Sequence, residues 1–170
     1  MATRGPAVLL AAFMASLPLG VSAQDKAVAE MIDNSKQTIG KAHFQQLPGG
    51  VLIQVDLTSL SPGAHAIHLH AVGACDPDFK AAKGHINAAG RKHGLANPEG
   101  PDNGDLPNIF AAADGTAKAE LFTTLVSLSG SEASLLDADG SAVVLHENPD
   151  NHIDQPIGGA GGRIACGVVK

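Results

Sequence analysis

Beyond the first two dozen residues, apolar side chains recur at every second position in short runs separated by turn residues. Val51, Ile53, Val55 and Leu57 alternate with Leu52, Gln54 and Asp56, the pattern of a half-buried strand. Weaker alternation predicts strands over 27–32, 38–45, 108–112 and 117–122. Runs at 64–72, 142–146 and 163–169 bring the number to about eight. Leu47-Pro48-Gly49-Gly50, Ser61-Pro62-Gly63 and Asp137-Ala138-Asp139-Gly140 read as turns, and 131–136 as one helical turn. Many short strands at such spacing predict an all-β fold, an eight-stranded antiparallel sandwich or barrel. No internal repeat, linker or low-complexity tract interrupts it.

Two stretches, 73–107 and 147–162, lack any period. Structureless segments of that length in a small domain are usually functional. They are also where the ionisable residues collect: His85, His93, Asp102 and Asp105 in the first, Asp150, His152 and Asp154 in the second.

The chain has 170 residues, room for one ordinary domain, with five Phe and neither Trp nor Tyr. Its core must therefore be built from Val, Ile, Leu and Ala. Residues 1–23 read as a secretory signal peptide: Arg4, a short apolar run over 7–20, and Val21-Ser22-Ala23 for cleavage before Gln24. The apolar run is too short for a membrane span, and nothing later approaches one. Residues 24–170 are then one exported β domain, expected in the periplasm. The net charge of −6, with no basic stripe, excludes a nucleic-acid binder. Cys75 and Cys166 are the only cysteines. In an oxidising compartment a disulfide between them is expected, with two free thiols as the alternative.

Eight His are many for this length, and six fall between 43 and 93. In a strand, His68 and His70 share one face, with Cα atoms roughly 6.5–7 Å apart, so their rings can converge on one ion. Ile67 and Leu69 point the other way, into the core, with His65 on their side. His146 ends the 142–146 run on the face of Ala142 and Val144. His43 reads as an incidental strand residue. Imidazoles without thiolate ligands suit copper and zinc. The residues alone thus describe an exported β protein with a His-rich transition-metal site.

Gly63-Ala64-His65-Ala66-Ile67-His68-Leu69-His70, with Gly73 and Cys75 after it, resembles the signature of the copper-zinc superoxide dismutase family. The resemblance continues through Gly84-His85, Arg91-Lys92-His93-Gly94, Gly104-Asp105-Leu106-Pro107-Asn108, Val143-Val144-Leu145-His146-Glu147 and Asp150. It closes with Gly161-Gly162-Arg163-Ile164-Ala165-Cys166-Gly167-Val168 and spans about 27–170. The signal peptide and compact last loop resemble the bacterial, exported branch. The resemblance implies a Greek-key barrel, one copper and one zinc, superoxide anion as substrate, and oxygen and peroxide as products. It implies copper on His68, His70, His85 and His146, with His85 bridging to a zinc that adds His93 and Asp105. Asp150 would join a copper-side and a zinc-side His, and Arg163 would attract the substrate beside the copper. Lys80, Lys83, Arg91 and Lys92 are candidates to assist it, since 147–162 contains no Lys or Arg. Family members are often dimers, but no feature of this sequence fixes an interface.

The family pattern departs at one position. Asp102 stands where a third zinc His is expected, three residues before Asp105. Aspartate is an acceptable zinc ligand of similar reach, so Asp102 is the expected fourth ligand; a weak zinc site and a substitute role for His152 are the alternatives. By charge counting, Asp102 would lower the two-metal cluster from about +2 to about +1. A non-catalytic copper or zinc carrier would keep the histidines but would need neither Arg163 nor the bridge. An immunoglobulin-like interaction domain would not explain the ordered motifs.

Overall fold

The computed structural model describes residue 1 and residues 25–170. The predicted leader, Met1 apart, and the cleavage point before Gln24 lie outside the described residues. The strands are β1 (Lys26–Asp33), β2 (Thr38–Leu47), β3 (Gly50–Leu57), β4 (Gly63–His65), β5 (Ile67–His70), β6 (Ile109–Ala111), β7 (Ala117–Thr123), β8 (Ala142–His146) and β9 (Arg163–Val168). Seven form one antiparallel sheet in the order β5-β8-β9-β1-β2-β3-β7, and β4 pairs with β6. β4 leads into β5 and β6 turns back into β7, so the small pair joins the two edges of the large sheet. The result is the all-β Greek-key barrel that the alternation and the resemblance predict.

The period-two pattern works as physics requires. On β3, Val51, Ile53, Val55 and Leu57 are buried while Gln54 and Asp56 face solvent. Ala27, Ala29 and Met31 of β1 and Ala42 and Phe44 of β2 join them in the barrel interior. His43, between those two core residues, is exposed.

Three local readings change. The run over 64–72 is not one strand but divides at Ala66. The N–H of Ala66 donates to Asn148 O and its carbonyl accepts from His146 N–H, both at 2.9 Å, so the chain leaves β6 there and joins β8. Alternation continues through that crossing, which hides it from sequence. The segment 131–136 is not helical: Ser134 Oγ donates to Ser131 O (2.7 Å) and accepts from Ser131 N–H (3.0 Å). The hydroxyl thereby takes groups that a helical turn would have used. Inside 73–107, Phe79–Ala82 forms one 3₁₀ turn, with the Asp78 carboxylate accepting from Lys80 N–H at 2.8 Å.

β8 is buried on both faces. Val143 and Leu145 point into the barrel, whereas Ala142 and Val144 point outward and pack with Cys75, Phe79, Ala82 and Cys166 in a second small core. The Cys75–Cys166 disulfide runs through that core, tying the first long loop to β9 and removing the free-thiol alternative. It closes a separation of 91 residues. Reduction, or the paired change Cys75→Ser and Cys166→Ser, should therefore cost about 4–5 kcal/mol in the chain-entropy account. The check is the urea midpoint of oxidised against reduced chain, and equal midpoints would contradict it.

Candidate metal centre

β5 is an edge strand of the large sheet, and an uncovered edge leaves backbone groups without partners. The first long loop covers it. Ile86 N–H donates to Leu69 O (3.0 Å), Leu69 N–H to Gly104 O (2.9 Å) and Ala71 N–H to Gly84 O (3.0 Å). This pairing sets His85 opposite His70 and carries Asp102 and Asp105 alongside. A Cβ on Gly104 would lie 2.2 Å from Leu69 O, so only glycine permits the approach. On β8, an irregularity between Leu145 and His146 pairs His146 with Arg163, bringing both to one end of the barrel.

The outward face of β5 thus meets both long loops, and the predicted residues converge there. Candidate ligand atoms of His68, His70 and His146 lie within 4.8 Å of one another, as do those of His85, His93, Asp102 and Asp105. The rings of His68 and His85 stand 4.3 Å apart, centre to centre. His152, the substitute considered for the zinc side, is not in that group. Its Nδ1 lies 3.4 Å from Asp150 Oδ2 and its Nε2 3.3 Å from Asn108 Nδ2.

Each ring is held through one nitrogen. His68 Nε2 donates to Asp150 Oδ2 (2.9 Å), His70 Nδ1 to Lys83 O (2.8 Å) and His146 Nδ1 to Gly161 O (3.2 Å). His85 Nδ1 donates to Asp102 Oδ2 (3.0 Å). The other nitrogens, His68 Nδ1, His70 Nε2, His85 Nε2 and His146 Nε2, are buried and have no hydrogen-bond partner among the described residues, and His152 Nδ1 is in the same position. His93 differs, with Nδ1 on Asp105 Oδ1 (2.5 Å) and Nε2 on Asp150 Oδ1 (3.2 Å). Asp150 therefore spans one ring of each cluster. Asp102 also accepts from Gly104 N–H (2.9 Å), and its own N–H donates to Asp105 Oδ2 (3.0 Å).

Electrostatics divide the centre in two. Burial lowers the pKa of His68, of His70 to about 2 and of His146 to about 4, leaving neutral rings with free lone pairs. Burial also acts to lower His85 and His93, but their carboxylate partners outweigh it and raise both, His93 to about 10. Burial works to raise the Asp105 and Asp150 carboxyls, yet their His partners hold both below the usual range.

A cavity of ≈ 480 Å³ opens onto His70 and His85, with Lys80, Lys83, Arg91 and Arg163 in its wall. Lys92, the fourth predicted loop cation, instead pairs with Glu99 at 2.5 Å. Arg163 is held by two carbonyls, Nη1 donating to Phe79 O (2.5 Å) and Nη2 to Lys83 O (2.6 Å). Sequence reasoning missed the Lys83 and Gly161 carbonyls, because a backbone acceptor has no residue signature. It also missed Gly158, whose Cβ, were there one, would lie 1.7 Å from Asp150 Oδ1. A Gly at φ +59° beside a key carboxylate is legible only once the loop is folded.

The family model for copper/zinc superoxide dismutase matches residues 38–169. The chain is 56% identical over 135 residues to a Cu-Zn superoxide dismutase of Caulobacter vibrioides, covering 77% of this chain and 78% of the relative. It is 45% identical over 148 residues to Cu-Zn superoxide dismutase 1 of Aquifex aeolicus, covering 85% and 88%. Among solved structures it is similar to the Cu/Zn superoxide dismutase of Brucella abortus, with TM-score 0.71 and 28% identity over 85% of this chain and 99% of that one. A superoxide dismutase-like protein of Bacillus subtilis matches with TM-score 0.80 and 34% identity over 83% and 96%.

Gly158→Ala should force Asp150 away from both rings. In a ¹⁵N-histidine spectrum of the metal-free protein, the bonded Nε2–H signals of His68 and His93 should then disappear, while the Nδ1–H signals of His70 and His146 stay. Retention of the first pair would show that Gly158 does not shape the Asp150 contact.

Proposed function

The chain belongs to the copper/zinc superoxide dismutase family, and on that premise we propose an exported, periplasmic enzyme that dismutes superoxide to oxygen and hydrogen peroxide in antioxidant defence. The reading rests on one observation: four buried imidazole nitrogens without partners, gathered beside an arginine-lined opening. Buried polar atoms are rarely left unpaired, and neutral imidazole is the donor that copper and zinc prefer. Copper is assigned to His68, His70, His85 and His146, and zinc to His85, His93, Asp102 and Asp105. The donor chemistry fits both. When bound, copper supplies the one-electron couple for oxidising one superoxide and reducing a second, and zinc supplies fixed positive charge.

The protein groups have separable tasks. His85 would be the bridge, because its Nδ1 faces the carboxylates of the proposed zinc side while its Nε2 has no partner. That Nε2 is also the atom suited to hold and return a proton for peroxide. Asp150 orients His68 and His93, a carboxylate–histidine device that sets which nitrogen remains available. Arg163 keeps its charge, and its two carbonyl bonds leave further N–H donors for an anion. Lys80, Lys83 and Arg91 extend the positive wall, in a chain whose overall charge repels the substrate. The disulfide suits the oxidising compartment that the leader at 1–23 implies.

The test is the dismutation rate of mature, copper- and zinc-loaded protein at moderate ionic strength. A value on the order of 10⁸–10⁹ M⁻¹s⁻¹ is expected; a rate no better than free copper, with both metals bound, would move the protein to the class of metal carriers. Asp102 adds a second test. Its carboxylate removes one positive charge that a histidine would leave in place. Asp102→His should raise both zinc affinity and catalytic rate, and the idea fails if titration and kinetics find both unchanged.

A further inference from the structure

Two planar carboxamides, Asn108 just after the first long loop and Gln155 in the second, each grip a residue of the other segment. Asn108 Oδ1 accepts from the backbone N–H of Asp150 at 2.8 Å while its Nδ2 donates to Asp150 O at 2.9 Å. Gln155 does the same in the opposite direction: its Oε1 accepts from His93 N–H at 3.1 Å and its Nε2 donates to His93 O at 2.8 Å. The two gripped residues meet through His93 Nε2 and Asp150 Oδ1, 3.2 Å apart. Asn97 reinforces the Gln155 side, donating to His93 O (3.1 Å) and Ile153 O (3.3 Å).

A side-chain amide that satisfies both backbone groups of one residue imitates a strand neighbour, and it opposes sliding and rotation together. Asn108 immediately precedes β6, so its grip is referenced to the barrel. Gln155 is exposed, so burial does not explain its geometry. We propose that Gln155 and Asn108 are positioning residues that preset His93 and Asp150 for the zinc side, so that ion binding has little loop ordering left to do. Preorganisation of this kind raises affinity by removing an ordering cost. The proposal rests on the assignment of His93 to zinc given above.

The experiment compares wild type, Gln155→Ala, Asn108→Ala and His93→Ala as mature, disulfide-intact chains. Zinc affinity is measured by chelator competition, the absorption spectrum is recorded with cobalt(II) in place of zinc, and the thermal midpoint of the metal-free chain is recorded alongside. Gln155→Ala and Asn108→Ala should each lose about tenfold or more in zinc affinity and alter the cobalt spectrum, in line with the usual effect of groups that orient ligands. Gln155→Ala should do so with the metal-free midpoint unchanged, since the residue is exposed. His93→Ala should lose more than either. Zinc affinity of Gln155→Ala within twofold of wild type, with His93→Ala strongly impaired, would overturn the clasp and leave the zinc assignment standing. An unimpaired His93→Ala would overturn both. A lowered midpoint with unchanged zinc affinity would make the amides structural only and also overturn the proposal.

Discussion

A buried imidazole brings two ring nitrogens out of water, and the protein must provide for each. Four rings here give one nitrogen to a protein acceptor and leave the other without a partner. An unsatisfied buried polar atom costs about 1–3 kcal/mol. Gathering four of them in one place is a standing penalty on the protein by itself, comparable with a large part of a small domain's net stability of about 5–15 kcal/mol. A ligand that takes up those four nitrogens removes the penalty. Ion binding and folding are thereby linked, in the sense that whatever binds only the folded chain stabilises it.

That penalty is tolerable because the barrel is stabilised independently of the site. The main core lies among β1, β2, β3 and β7 with Ile67, Leu69, Val143 and Leu145 of β5 and β8 facing it. The histidines stand on the opposite face of the same two strands. There the disulfide-bearing loop covers them with a second core built on Ala142, Val144 and Phe79. One run of alternating residues therefore does two jobs: odd positions fill the barrel and even positions furnish the centre. Edge-covering pairs from the first loop to β5 then decide where His85, Asp102 and Asp105 arrive.

What could be read from the chain beforehand follows the same division. The strands, the outward face of His68 and His70, and the placing of the chemistry in 73–107 and 147–162 are legible because period-two alternation and its loss are local signals. The break at Ala66 is not, since both halves keep the alternation while changing sheets. The turn at 131–136 misleads because serine hydroxyls compete with backbone partners, an outcome set by geometry. The parts of the centre contributed by side chains with metal-binding chemistry stand out, whereas the Lys83 and Gly161 carbonyls and the cradle at Gly158 do not. Asn108 lies inside a motif that the resemblance uses, yet nothing in its spacing reveals that it grips Asp150.

The electrostatic arrangement shows how the two loops share the work of admitting an anion. Net charge is −6, so the chain as a whole does not attract superoxide, and fields of exposed charges fade over about 8–10 Å at ordinary ionic strength. Attraction must therefore be local. The cations lining the opening, Lys80, Lys83, Arg91 and Arg163, come from the first loop and the start of β9, while the second loop offers Gln155, Pro156 and Ile157. One wall of the opening is charged and the other is neutral. The neutral wall is the one whose Gln155 grips His93, and it adds no cation that would compete for the neighbouring carboxylates. On the proposed zinc assignment Asp102 would bring one more negative charge to that side than a histidine, leaving the charged wall a larger share of the attraction. Arg163 is the best placed of its members: two carbonyls fix its guanidinium at the opening, whereas Lys80 and Lys83 are exposed there.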